Sequence, residues 1–154
     1  MAVDWRVGAM TVLRISFGIF FITDGFGKLR WLFTSSVLAA TLEMWLSTAP
    51  AASRWYLEHV AIPGVPYFAR LVSVGEVAGG LALLIGLWTP IVAGLLFLMV
   101  LNFHLASGLL FKGAFLTDGY GLPMIGSLLA LTLGGGRLPW SLRRSSRVRG
   151  KPTR

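Results

Sequence analysis

The chain of 154 residues contains no cysteine, and charged side chains make up only 13% of it. Without cysteine, the chain cannot form disulfides, carry out thiol redox chemistry or hold cysteine-ligated metal or iron–sulfur centres. Soluble domains carry about 25% charged residues, roughly twice the content found here. Among the charged residues, six are acidic and fourteen are basic, which gives a formal net charge of +8. This composition is typical of a membrane protein.

The low content of charged residues results from four apolar stretches. They cover residues 7–26, 67–88, 91–111 and 120–135. About 20 apolar residues let a helix cross the ~30 Å hydrocarbon core, so hydropathy predicts four membrane spans. The short turn before Pro90 joins the second and third spans into an antiparallel hairpin. We predict an all-α membrane protein, an up-down-up-down bundle of four transmembrane helices, forming one domain over residues 1–136.

A basic tail follows the fourth apolar stretch. Half of the fourteen basic residues lie within residues 137–154. Directly after a membrane span, such a cluster follows the positive-inside rule, so we expect this tail on the cytoplasmic side. Four spans then place the N-terminus there too. We expect the tail to contact anionic lipid, and we expect no nucleic acid partner.

The segment between the first and second spans is predicted to be an amphipathic outer-side segment. Residues 31–45 alternate apolar and polar positions at helical spacing. Read as a helix, it carries Leu38, Leu42, Trp45 and Leu46 on one face. Such a helix either lies in the outer membrane interface or packs on the bundle, and the pattern leaves both open. The prolines of residues 61–66 predict a hinge, after which a new helix begins near Tyr67.

Two charges interrupt the first and second apolar stretches. Arg14 lies in the first and Glu76 near the centre of the second. A lone charge at that depth costs ~2.5–3.5 kcal/mol, so it normally faces the protein interior and a partner. Estimated depths bring Arg14, Glu76 and Asn102 into one polar layer near mid-membrane, and the opposite signs predict an Arg14–Glu76 ion pair. That pair either fixes helix register or belongs to a quinone, proton or substrate site.

Glycines accompany both charges and would let two helix backbones approach closely. Candidate packing glycines are Gly18 and Gly25 on the first stretch, and Gly75, Gly79 and Gly80 on the second. Gly75 and Gly79 form a small-xxx-small pattern. The sequence therefore predicts direct contact between the first and second spans.

A second set of polar residues lies nearer the outer side. His104 is the only histidine within an apolar stretch, and it acts either in packing or as a quinone hydrogen-bond donor or proton relay. Asp24 and Lys28 are four residues apart and can pair on one helix. Alternatively, Asp24, Lys28 and Asp118 line an outer pocket open to a lipid-soluble substrate. The sequence indicates no metal site.

These residues also carry a resemblance. The first stretch has Arg14, Gly18, Phe21, Gly25 and Lys28, and the second runs EVAGGL from Glu76 and leaves the membrane as LIGLWTP at Pro90. In order and spacing they resemble the DoxX family. The resemblance implies a small multi-pass protein of the bacterial inner membrane. It also implies a link to membrane redox complexes, since one branch, DoxD, is a subunit of a thiosulfate:quinone oxidoreductase.

Three functional hypotheses follow. The first is an accessory or quinone-interacting subunit of a membrane oxidoreductase complex, with no cofactor held by this chain except a quinone, and with electrons supplied by a redox partner subunit. The second is a non-catalytic scaffold or assembly factor. The third is a small transporter, for which a single mid-membrane carboxylate is thin support. A homo-oligomer is compatible with all three.

Overall fold

The structure is a computed structural model that describes residues 5–138, and within that range it contains helices and turns but no strand. This confirms the all-α prediction. Most of the tail lies outside the described residues. The helices are α1 (Trp5–Gly27), α2 (Ser36–Thr48), α3 (Ala51–Tyr56), α4 (Val65–Ile85), α5 (Thr89–Ala106), α6 (Ala114–Thr117) and α7 (Leu122–Gly134). Short 3-10 segments lie at Leu29–Leu32, Leu109–Phe111 and Gly135–Arg137, and Leu57–Ala61 forms a π-helical turn.

Three of these helices, α1, α4 and α5, are long and apolar enough to cross a membrane. Helix α7 is apolar but has 13 residues, about 20 Å of helix, which is shorter than the hydrocarbon core. The predicted fourth span is thus shortened by the loop before Leu122 and by the 3-10 segment that begins at Gly135. The four-span bundle therefore stays a prediction.

Helices α4 and α5 form the predicted hairpin. Helix α4 begins at Val65, with Pro66 in its first turn, close to the expected start. It ends at Ile85 and is followed by Gly86, whose φ of 69° is a left-handed conformation that favours glycine. Helix α5 then begins at Thr89, again with a proline in its first turn, where a missing N–H does not break the helix.

The long helices pack in a defined order. The most extensive contacts join α1 with α4 and α5 with α7, while α4 also contacts α5 and α1 touches α7 more sparsely. Their shared core consists of large apolar side chains, among them Phe21, Leu83, Leu96, Leu128 and Leu131. Helices α1 and α4 run antiparallel, since Gly18 lies against Gly80 and Gly25 lies against Glu76.

Glycines set the closeness of α1 and α4. A Cβ atom added at Gly80 would lie 2.8 Å from the Gly18 carbonyl oxygen, and one added at Gly25 would lie 2.9 Å from the Glu76 Cβ. Gly79 instead faces Leu96 of α5 at 2.9 Å. Gly75 is less crowded, since its nearest contact is the Met99 Sδ at 3.6 Å.

The segment after α1 packs against the helices rather than standing apart from them. Helix α2 buries Leu38 and Leu42 in a second apolar cluster with Leu57 and Ala69, and Trp45 and Leu46 pack against it. The shared face expected from the sequence is thus the packed face. Helix α2 begins at Ser36 and not at residue 31, because Leu29–Leu32 forms a 3-10 turn.

Candidate functional site

One cavity brings together two carboxyl groups, a lysine, a histidine and a serine hydroxyl among the long apolar helices. It has a volume of about 210 Å³ and lies among α1, α4 and α5, with α2 and the loop before α7 completing its wall. Its polar lining is Asp24, Lys28, Glu76, His104 and Ser107. Its apolar and aromatic lining is Phe20, Phe21, Trp45, Met99, Val100, Phe103, Leu109, Tyr120 and Met124. An apolar cleft with a few converging polar groups is the usual form of a small-molecule site.

Lys28 bridges two carboxylates at this cavity. Its Nζ lies 2.5 Å from the Asp24 Oδ2 and 2.5 Å from the Glu76 Oε1. The Glu76 side chain is only 3% exposed, whereas Lys28 is 21% and Asp24 43% exposed. With all three groups ionised, the cluster carries one net negative charge. The Glu76 Oε2 is buried and has no hydrogen-bond partner among residues 5–138.

The surrounding chain holds Lys28 in this position. The Ser73 hydroxyl contacts the Lys28 carbonyl oxygen at 2.8 Å, and Ser73 lies one turn before Glu76 on α4. The Lys28 ammonium also lies 5.8 Å from the Trp31 ring and 5.7 Å from the Phe103 ring, within cation–π range. Two carboxylates and two aromatic rings therefore position the Lys28 ammonium, and the Ser73 hydroxyl holds its backbone carbonyl.

His104 faces the same cavity from α5 and is 6% exposed. Its Nδ1 lies 2.7 Å from the Val100 carbonyl oxygen. Because a carbonyl oxygen can only accept, Nδ1 carries the proton and donates it. In the neutral ring, Nε2 is then the acceptor. Its ring packs edge-on against Phe115, with ring centroids 5.9 Å apart.

Arg14 lies far from this cluster, which corrects the pairing expected from the sequence. Glu76 pairs with Lys28 and lies opposite Gly25, while Gly18 lies opposite Gly80. Arg14 is eleven residues before Gly25, roughly 16 Å along α1 at about 1.5 Å per residue. It is 1% exposed near the opposite end of the α1–α4 contact. Depths counted from the span ends missed this register.

Asn102 and Asp118 also lie outside the cavity lining. Asn102 accepts a hydrogen bond from the Tyr56 hydroxyl of α3. Burial raises the pKa of the Tyr56 hydroxyl, so this group stays a protonated donor at neutral pH. Asp118 is exposed, and its Oδ1 accepts the Tyr120 backbone N–H at 2.8 Å in the loop before α7.

Sequence reasoning missed several groups at the site. Ser73, Trp45, Phe103 and Tyr120 were not predicted. Ser73 could have been found, because it lies three residues before Glu76 and therefore shares its helix face. Trp45 and Tyr120 come from the connecting segments, where periodicity carries no information about which helices they reach.

Replacing Tyr56 with phenylalanine tests the Tyr56–Asn102 hydrogen bond. The variant leaves the partly buried Asn102 Oδ1 without its donor, so we expect a loss of about 1 kcal/mol in unfolding free energy. Thermal unfolding in detergent, followed by circular dichroism, measures it. Tyr67→Phe is the control, since Tyr67 is 78% exposed. Equal stability of the two variants would contradict this role for the hydrogen bond.

The helices and the buried polar cluster define the class as a multi-pass α-helical membrane protein. A sequence profile of the DoxX family matches residues 9–107, more than half of the chain. The chain belongs to the DoxX family. The match covers α1 to α5, which supply Asp24, Lys28, Glu76 and His104. Neither the curated proteins nor the solved structures contain a significant match.

Proposed function

We propose that this DoxX-family protein is a quinone-binding accessory subunit of a redox complex in the bacterial inner membrane. One observation supports the proposal above all: a buried carboxyl group, a lysine and a buried histidine line one aromatic cavity among the long apolar helices. Ionisable groups inside a membrane are costly and normally mark substrate or proton pathways.

The chemistry of the lining fits both redox forms of a quinone. The oxidised ring offers two carbonyl oxygens, which accept hydrogen bonds from a donor such as the Lys28 ammonium. The reduced ring offers two hydroxyl groups, which donate to acceptors such as a Glu76 carboxylate oxygen or the His104 Nε2. Phe20, Phe21 and Phe103 provide apolar and aromatic contact for the ring.

Reduction of the quinone consumes two electrons and two protons. We assign the electrons to a partner subunit that carries a redox centre. The two protons come from water, are taken up by the Glu76 carboxylate and the His104 Nε2, and pass from these groups to the two quinone oxygens. The described residues bring together no group of three or more potential metal ligands. In this scheme the chain binds and orients the quinone, and a partner supplies the reductant.

The proposal includes a topology. The packing order of α1, α4, α5 and α7 supports an up-down bundle in which α7 is a short fourth span. With residues 137–154 at the cytoplasmic surface against anionic lipid, the N-terminus is cytoplasmic as well. The cavity then lies toward the outer side, because Lys28 follows the far end of α1. A homo-oligomer would leave this arrangement unchanged.

Tryptophan fluorescence tests quinone binding directly. Trp45 lines the cavity, and quinones quench indole emission. We expect saturable quenching of the detergent-purified protein by a short-chain ubiquinone analogue, and a smaller saturable part in Trp45→Phe, in which Trp31 remains near Lys28. Glu76→Gln removes a charged hydrogen-bond acceptor, an interaction of about 1.5–3 kcal/mol, and should weaken binding roughly tenfold or more.

Glu43→Gln is the matched control, because Glu43 is exposed on α2 and does not line the cavity. It should bind like the unaltered protein. Thermal unfolding of each variant separates lost binding from lost folding. Quenching that rises linearly, without saturation and equally in all variants, would overturn the proposal and favour a non-catalytic scaffold.

A further inference from the structure

We infer that the quinone's apolar tail leaves the cavity through the groove between α1 and α7, so that this seam is the lateral entrance to the site. The inference rests on the proposed function and adds a second binding subsite for the same ligand. Its ligand class is therefore specific: a polar ring with a long hydrocarbon tail that lies in the membrane.

The groove is large and almost wholly apolar. Its volume is about 530 Å³, which exceeds the 210 Å³ of the cavity lined by Lys28 and Glu76. Leu13 and Phe17 of α1 form one wall, and Pro123 of α7 belongs to the other. Ser16 and Ser127 are small side chains on opposite walls. Between Leu13 and Phe20 the groove follows about 10 Å of helix, enough for the ring-proximal part of a tail.

The groove and the cavity share a wall. Phe20, Tyr120 and Met124 line both of them. The centroids of the Phe20 and Tyr120 rings lie 6.0 Å apart, so the two rings are in contact where the cavity and the groove adjoin. We infer that a molecule with its ring beside Lys28 and Glu76 reaches the groove when these three side chains move aside.

The helix contacts explain why α1 and α7 are loosely packed at this groove. Helix α1 is held against α4 by glycines, and α7 is held mainly against α5, so α1 and α7 touch only sparsely. A second apolar groove of about 530 Å³ lies between α4 and α5. It shares only Met99 with the cavity lining. Continuity thus favours the α1–α7 groove and makes the α4–α5 groove an internal control.

Photocrosslinking locates the tail. The probe is a ubiquinone analogue with a diazirine on the first part of its tail, added to the protein in phosphatidylcholine nanodiscs. After irradiation, we expect peptide mapping to find adducts within residues 13–17 and 123–127. An excess of unlabelled short-chain quinone should remove most of them, since it occupies the cavity.

Bulky substitutions provide the matched variants. Ser127→Trp and Ser16→Trp each fill the proposed groove and should reduce these adducts at least fivefold. Ala78→Trp fills the α4–α5 groove and should not. The short-chain quinone should still bind to a groove-filled variant, and calorimetric titration measures this because the added tryptophan would itself be quenched. Unfolding curves show whether each variant is folded. If one of the two groove-filled variants does not fold, the adducts of the other one test the inference.

The outcomes separate the two proposals. Adducts concentrated on α4 and α5 would overturn the assignment of the tail to the α1–α7 groove. Adducts that are unchanged in both groove-filled variants would overturn it as well. If the short-chain quinone still binds in these cases, the proposed quinone site is not contradicted. Adducts in the α1–α7 groove that short-chain quinone does not displace would also overturn the assignment of the tail, because the groove would then hold a tail independently of the cavity. Failure of the short-chain quinone to bind would overturn the proposed function itself.

Discussion

Lys28→Met should lower the unfolding free energy by about 3–5 kcal/mol, because it leaves the buried Glu76 carboxylate without its counter-charge. Glu76 is 3% exposed, so water cannot replace the lost ammonium without opening the helix contact. Asp24 then lies near a second negative charge with no cation between them. Chemical denaturation in detergent, followed by circular dichroism, measures the loss.

A double variant tests the cause. Lys28→Met with Glu76→Gln removes both charges, and it should recover most of the stability because no charge is then left buried alone. Lys112→Met is the control for loss of a lysine, since Lys112 is exposed in the loop after α5. If the double variant were as unstable as Lys28→Met alone, the ion pair would not be the reason for the loss.

Gly80→Ala should destabilise the protein by about 1–3 kcal/mol, because the added methyl group meets backbone and not a movable side chain. The Cβ would lie 2.8 Å from the Gly18 carbonyl oxygen and 2.8 Å from the Ile22 nitrogen. Helix α1 must therefore shift away from α4. That shift would also lengthen the contact between Lys28 and Glu76, so ligand binding should fall in the same variant.

Gly126→Ala is the matched control in a helix. A Cβ at Gly126 has no neighbour within 4 Å, so only helix propensity changes. Alanine is favoured over glycine there by about 1 kcal/mol, and we expect that variant to be slightly more stable. Thermal unfolding of both variants in one detergent gives the comparison. A Gly80→Ala protein as stable as Gly126→Ala would contradict close α1–α4 packing.

The hairpin of α4 and α5 could be predicted from the sequence because its signals are local. Glycine, a short turn and Pro90 fall at the end of one apolar stretch and the start of the next. The packed face of α2 could be predicted for a similar reason, since Leu38 and Leu42 share a face at helical spacing. Whether that face met lipid or protein could not, because periodicity does not identify the partner surface.

The partner of Glu76 could not be predicted, because it depends on how two helices are aligned along their length. Depths counted from the ends of the predicted spans placed Arg14 and Glu76 near each other, and their opposite signs suggested a pair. The glycine contacts instead align Gly25 with Glu76 and Gly18 with Gly80, which brings Lys28 to Glu76. Aligning the glycines of α1 with those of α4, with the two helices antiparallel, would have predicted this register.

Residues outside the spans complete the site, and that too lies beyond sequence periodicity. Trp45 and Tyr120 reach the cavity from α2 and from the loop before α7. Asp24, Lys28 and His104 were expected near the outer side, and all three line the cavity with Glu76. Asp118 was expected with them, but its side chain instead accepts a hydrogen bond from the Tyr120 backbone N–H in the loop before α7.

Quantifying the quinone that purifies with the protein tests the central claim most directly. The unaltered protein and the Glu76→Gln and Glu43→Gln variants would be extracted in mild detergent, and bound isoprenoid quinone measured by mass spectrometry per mole of folded protein. The account predicts retained quinone in the unaltered protein and in Glu43→Gln, and its loss in Glu76→Gln. Equal quinone in all three, or phospholipid alone in the unaltered protein, would contradict it.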